Sequence, residues 1–153
     1  MITCNRTNST NKDFQKLVME LDADLAIRDG ADHLFYAQFN TIAAIQYAIV
    51  AYNNGVAVGC GAIKPYAENC MEVKRMYVVV AQRGRGIAGT ILQALENWAL
   101  ELGSHTCLLE TGQKQPEAIA LYTKANYKII PNYGQYAGVE NSVCFEKKLT
   151  GIV

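Results

Sequence analysis

The chain has 153 residues and a mass of 16.8 kDa, room for one domain of ordinary size and little more. Half of the residues are hydrophobic, 18% are charged, and 14 basic residues balance 14 acidic ones. A net charge of zero speaks against gripping nucleic acid or an anionic membrane through bulk charge, and no apolar run approaches the ~18 residues of a bilayer span.

Met1 to Thr10 is polar and lacks the apolar stretch of a secretory signal. Five cysteines, Cys4, Cys60, Cys70, Cys107 and Cys144, are scattered without a C-x-x-C pair. An odd number without metal-ligand spacing points to buried free thiols, no structural metal and a reducing, cytoplasmic location. No linker, repeat or low-complexity tract interrupts the chain, so residues 1–153 read as a single domain.

The first helix starts at a Thr10/Asp13 capping box. It carries Phe14, Leu17, Val18, Leu21 and Leu25 at helical spacing and ends at Asp29-Gly30. A second helix is expected over Asp32 to Ala44. Strands Ala48 to Tyr52 and Val56 to Ile63 flank Asn53-Asn54-Gly55, where asparagine and glycine tolerate the positive φ of a hairpin turn. Another strand runs from Met71 to Val80. Ile87, Ile91, Leu92, Leu95, Trp98, Ala99 and Leu102 share one face of a long helix that Gly103 stops. Thr106 to Glu110 reads as a strand, and Pro116 to Lys124 as a short helix with proline in its first turn. Tyr127 to Ile130 and Val143 to Leu149 are closing strands around a Gly/Tyr-rich loop. The order is that of a mixed α/β fold.

Between the strand ending near Val80 and the long helix stands Val-Val-Val-Ala-Gln-Arg-Gly-Arg-Gly-Ile-Ala-Gly, from Val78 to Gly89. Glycines there let successive backbone N–H groups converge, the helix N-terminus adds its positive dipole end, and Arg83 and Arg85 add charge. That is a cradle for a pyrophosphate. Gly84, Gly86 and Gly89 satisfy G-x-G-x-x-G, and Glu110 follows at the spacing of a ribose-binding acid. A dinucleotide fold is rejected nonetheless. Ala81-Gln82-Arg83 separate the strand from the first glycine, two arginines sit inside the loop, and too few residues remain for a doubly wound sheet. No Gly-Lys-Ser/Thr follows, which excludes a Walker A loop.

Gln82-Arg83-Gly84-Arg85-Gly86-Ile87-Ala88 resembles the acetyl-CoA pyrophosphate loop of the GNAT N-acetyltransferase superfamily. The resemblance extends to Lys74-Arg75-Met76-Tyr77-Val78 before the loop, to the segment Gln115 to Tyr127 with its Leu121-Tyr122, to the hairpin and to the closing strand Phe145 to Leu149. Asn126 stands where that family usually has glycine, and asparagine also tolerates the left-handed conformation of a helix end. The resemblance implies a twisted mixed sheet of six or seven strands with four helices. It also implies acetyl-CoA as acetyl donor, a primary amine as acceptor and direct attack without a covalent enzyme intermediate.

By that resemblance Arg83, Gly84, Arg85, Gly86, Ile87, Ala88 and Gly89 hold the pyrophosphate, Met76, Tyr77 and Val78 run along the pantetheine, and Gln115 joins the cofactor site. Tyr122 is implied as the acid for the leaving sulfur, and Glu72, six residues before Val78, as the base for the amine. Homodimers are common in the family.

Other residues carry plainer readings. His33 and His105 are isolated and are not expected to bind metal; Glu20, Asp22 and Asp24 read as a solvated helix face, and Tyr36 and Phe39 as core. Tyr133 and Tyr136 are the better contacts for an acceptor. A neutral chain without a docking extension favours a small-molecule amine, with no nucleic acid or membrane partner. The competing readings are a CoA-binding regulatory domain, acetylation of a protein amine, and a nucleotide-dependent oxidoreductase.

Overall fold

The computed structural model describes residues 1–30 and 45–150. The helix expected over residues 32–44 lies outside the described residues, as do His33, Tyr36 and Phe39. Seven strands form one sheet: β1 (Ile2–Thr7), β2 (Tyr47–Asn53), β3 (Val56–Ala67), β4 (Cys70–Val78), β5 (Thr106–Gly112), β6 (Lys128–Ile130) and β7 (Ser142–Lys148). Their spatial order is β1-β2-β3-β4-β5-β7-β6, and every neighbouring pair is antiparallel except β4 and β5. Three α-helices, α1 (Lys12–Asp29), α2 (Ile87–Glu101) and α3 (Pro116–Lys124), are found among the described residues, none long and apolar enough to cross a membrane.

Local sequence explains most boundaries. Asn54 at φ 51° and Gly55 at φ 82° close the β2–β3 hairpin. Gly103 at φ 89° and Asn126 at φ 73° end α2 and α3 in the same way: the second residue past each cap donates back to the last turn, Ser104 N to Ala99 O and Tyr127 N to Tyr122 O. The start of α1 differs from the expected capping box. Asn11 is the N-cap, its Oδ1 accepting from Phe14 N at 2.9 Å, because asparagine there reaches the first turn directly. Thr10 is held instead by Asn8, and Asp13 accepts from the Tyr52 hydroxyl. Strand β1 has no counterpart in the sequence reading, which took residues 1–10 only as a polar start. Its signal is a weak alternation in which Ile2 and Cys4 turn to the core while Arg6 lies over Trp98 and pairs with Glu101. The strand expected to reach Val80 stops at Val78, and Val80–Gln82 forms a 3₁₀ turn.

The sheet is covered on both faces. Phe14, Leu17, Val18 and Leu21 of α1 pack against Ala48, Val50, Cys60, Ala62 and Tyr77. On the other face Ile87, Ile91, Leu92, Leu95 and Ala99 of α2 pack with Ile49, Val73, Leu109, Tyr122 and Phe145. Gly61 on β3 is what lets α2 approach. A Cβ there would lie 2.8 Å from Leu95 Cδ1, 2.9 Å from Ile91 Cγ2 and 2.6 Å from Met76 Sδ.

Two irregularities of β4 position the site. The β3–β4 register shifts between Cys60 and Ala62, and Arg75 in that stretch stands at φ 60°. More consequentially, β4 pairs with β5 only through Cys70↔Thr106, Met71↔Cys107 and Glu72↔Leu108. Beyond Glu72 the two parallel strands separate, and no strand among the described residues pairs with Val73 to Val78 on the β5 side.

Candidate active site

A cavity of about 390 Å³ fills this opening. It runs from the glycine loop past Met76, Tyr77 and Val78 to Glu72, Glu110 and Tyr122. Of the residues singled out from sequence, Glu72, Met76, Tyr77, Val78, Arg83, Gly84, Gly86, Ile87, Ala88, Gly89, Gln115 and Tyr122 all line it. Arg85 is exposed and does not.

At the loop end, Gly84 at φ 80° and Gly86 at φ 77° turn the chain into α2, and Gly86 is the N-cap without a side-chain cap. The N–H groups of Ile87, Ala88 and Gly89 open the helix, where no intrahelical acceptor exists for them. A Cβ built on Gly84, Gly86 or Gly89 meets no protein atom within 4 Å. The cradle therefore has open space in front of free donors, which fits a pyrophosphate. Arg83 braces it: its Nε donates to Val78 O at 2.8 Å and its guanidinium lies 5.5 Å from the centre of the Tyr77 ring. Gln115 caps α3 just ahead of Pro116 and faces the same cavity.

At the other end, Tyr122 is buried between Tyr127 and Phe145, with ring centres 5.8 and 5.9 Å away. Burial first, and then the charge of Glu110, raise its pKa, so the hydroxyl keeps its proton at neutral pH. The turn Tyr122–Tyr127 is anchored by Glu96 of α2, which accepts from the Tyr127 hydroxyl at 2.9 Å and pairs with Lys147 of β7 at 2.8 Å.

Glu72 is 4% exposed; its Oε2 accepts from the Tyr133 hydroxyl at 2.6 Å and its Oε1 lies 3.9 Å from Lys74 Nζ. Tyr136 is buried beside it, with Lys74 Nζ 3.4 Å from its hydroxyl. Burial lowers the pKa of Lys74, a shift that Glu72 opposes. Two residues of the acidic face of α1 are paired: Asp22 with the buried Arg75 at 2.7 Å, and Asp24 with Arg28 at 3.1 Å.

Sequence reasoning missed Glu110, noticing it only as a ribose-binding acid. It lines the cavity, accepts from Ser142 Oγ at 2.7 Å, and burial pushes its carboxyl up to about 7. The available signal was a carboxylate at the end of a strand otherwise made of Cys107, Leu108 and Leu109.

Residues 13–127 match the Acetyltransferase (GNAT) family. The chain is 34% identical over 151 residues to an IAA acetyltransferase of Azospirillum brasilense, covering 97% of this chain and 98% of that protein. A solved structure from Klebsiella pneumoniae, named as an acyl-CoA N-acyltransferase, superposes with a TM-score of 0.83 at 32% identity, covering 98% of this chain and 99% of that one. The PaiA N-acetyltransferase of Thermoplasma acidophilum, solved with coenzyme A, shares the fold at TM-score 0.68 and 16% identity, over 97% of this chain and 99% of its own. With the glycine cradle and the splayed strands in place, the chain belongs to the GNAT acetyltransferase family and is an acyltransferase.

Proposed function

We propose that this protein transfers the acetyl group of acetyl-CoA to a primary amine of a small molecule, by direct attack within one ternary complex. The observation that supports the reading most is the continuity of the cavity, which joins an anion cradle at Gly84–Gly89 to a tyrosine hydroxyl and two carboxylates at the strand opening. Bound there, acetyl-CoA supplies an acetyl group activated as a thioester. Gly84, Gly86 and the first amides of α2, with Arg83, hold its pyrophosphate; the edge of β4 from Val73 to Tyr77, which no strand pairs on the β5 side among the described residues, offers hydrogen bonds along the arm.

The acceptor nitrogen forms the C–N bond with its lone pair, the C–S bond breaks, and the sulfur leaves with the electron pair. Tyr122 gives the sulfur a proton, and the proton lost from nitrogen passes to one carboxylate at the splay, where Glu72 and Glu110 both stand. Acidic and basic side chains both line the cavity, and Glu72 and Glu110 stand at the end where a cationic amine would meet the thioester. Five free cysteines suit a compartment that keeps thiols reduced.

Thiol release from acetyl-CoA across a panel of amino acids, polyamines, aryl amines and lysine peptides tests this reading. Amine-dependent release with a small molecule, matched by the mass of its N-acetyl product, is the expected result. Release with peptides alone would move the acceptor to a protein amine, and no release with any amine would leave a CoA-binding domain.

A further inference from the structure

The opening between β4 and β5 carries two carboxylates in different circumstances. Strand β5 leaves β4 after the Glu72↔Leu108 pair, and Glu110 lies two residues farther along β5. Lys74 lies two residues farther along β4, so Lys74 and Glu110 stand level with each other on either side of the gap, and both line the cavity with Tyr122. Glu72 is engaged: one oxygen takes the Tyr133 hydroxyl at 2.6 Å and the other faces Lys74 at 3.9 Å. Glu110 takes one hydrogen bond, from Ser142, and forms no ion pair among the described residues.

We propose that Glu110 is the group that takes the proton from the acceptor amine, with Glu72, Lys74 and Tyr133 as positioning residues around it. The assignment rests on the transferase reading above and names its base. As the C–N bond forms, the amine proton moves to the Glu110 carboxylate; the electron pair of the C–S bond leaves on sulfur, which Tyr122 protonates. Glu110 then returns its proton to solvent through the cavity, and Tyr122 regains one from solvent by the same route.

The surroundings suit this role. Glu110 is faced by Ser142 and Cys144 from β7, Glu72 and Lys74 from β4, Asp29 from α1, Tyr122 from α3 and Tyr136 from the closing loop. Burial raises its carboxyl to about 7, against which the Ser142 hydrogen bond and Lys74 act. A carboxylate with that affinity for protons is a stronger base than an exposed one and is still half ionised at neutral pH.

The test combines pH–rate profiles with carboxyl ¹³C NMR of glutamate-labelled protein, for wild type, Glu110→Gln, Glu110→Asp and Glu72→Gln. With kcat/KM expressed on the neutral amine, wild type loses activity below about pH 7, and one carboxyl resonance titrates there and vanishes in Glu110→Gln. Glu110→Gln is expected to lose ~10²-fold or more in kcat and to lose the acidic limb, with acetyl-CoA affinity kept. Glu110→Asp recovers part of the rate, and Glu72→Gln is slower but keeps the limb. A limb that persists in Glu110→Gln, or the absence of a carboxyl titrating near 7, overturns the assignment. If that resonance is present but no amine releases thiol, the transferase reading fails and the assignment falls with it.

Discussion

Tyr122 holds its proton because it is buried and because Glu110 is near; the proton is there to be given at neutral pH, while the same two causes make the hydroxyl a weaker acid. A thiol has an unperturbed pKa of ~8.5, so the thiolate also leaves unaided at some rate. Tyr122→Phe is therefore expected to slow the chemical step by ~10²-fold without abolishing it. Calorimetric affinity for acetyl-CoA should be unchanged, and a wild-type single-turnover rate would remove the acid assignment. Glu110 makes a separate prediction about stability. Its folded carboxyl titrates near 7 against an ordinary 4.5, so the folded chain binds that proton more tightly than the unfolded chain. This contribution favours folding at low pH and is lost as pH rises from about 4.5 through 7. Glu110→Gln should then be the more stable protein at pH 8, by no more than about 3 kcal/mol. The difference should vanish near pH 4.5, and urea unfolding at the two pH values measures both. That Tyr122 would line the cavity was legible from sequence, because it sits in a motif of fixed spacing. Glu110 was not, because its significance comes from burial and from where β4 leaves it, which are properties of the folded sheet.

At the scale of elements, the glycine loop and helix α2 make the cradle together. Gly86 stands at φ 77° with open space before its Cβ position, so a side chain there would enter the room meant for the ligand. Gly86→Ala and Gly86→Glu should both cost about 1–2 kcal/mol of stability from left-handed strain. Only the glutamate, with its bulk and charge, should weaken acetyl-CoA binding by ~100-fold or more, roughly 2.7 kcal/mol. Equal affinities of the two variants in calorimetry would contradict the cradle. Gly61 has a structural role instead: Gly61→Ala should destabilise by about 1–3 kcal/mol through overpacking against Leu95, Ile91 and Met76. Urea unfolding reads that loss directly. The helix stops at Gly103 and Asn126 and the Asn54-Gly55 turn were readable, since each depends on one residue's tolerance of positive φ. The α1 cap was misplaced by a residue because Thr10 and Asn11 are both good caps, and only the bond to Phe14 N decides between them. Strand β1 escaped notice because an edge strand buries one side lightly and keeps Thr3, Asn5 and Arg6 on display.

Across the whole molecule, the sheet stops pairing in its middle. Three β4–β5 pairs hold the halves together, the cavity opens beyond them, and α2 and α3 bring the cradle and Tyr122 to its two ends. The order of elements pointed to a mixed α/β fold, and the resemblance carried by the glycine loop and the Leu121-Tyr122 segment supplied the particular sheet. The length of the β4–β5 contact was not anticipated, because neither strand's own sequence says where its neighbour departs. Stepwise thiol release measures direct transfer in that opening. Enzyme saturated with acetyl-CoA should release no thiol until an acceptor amine is added, and then one thiol for each N-acetyl product. A stoichiometric burst of thiol before any amine is present would contradict direct attack, and continued silence after its addition would contradict transfer altogether.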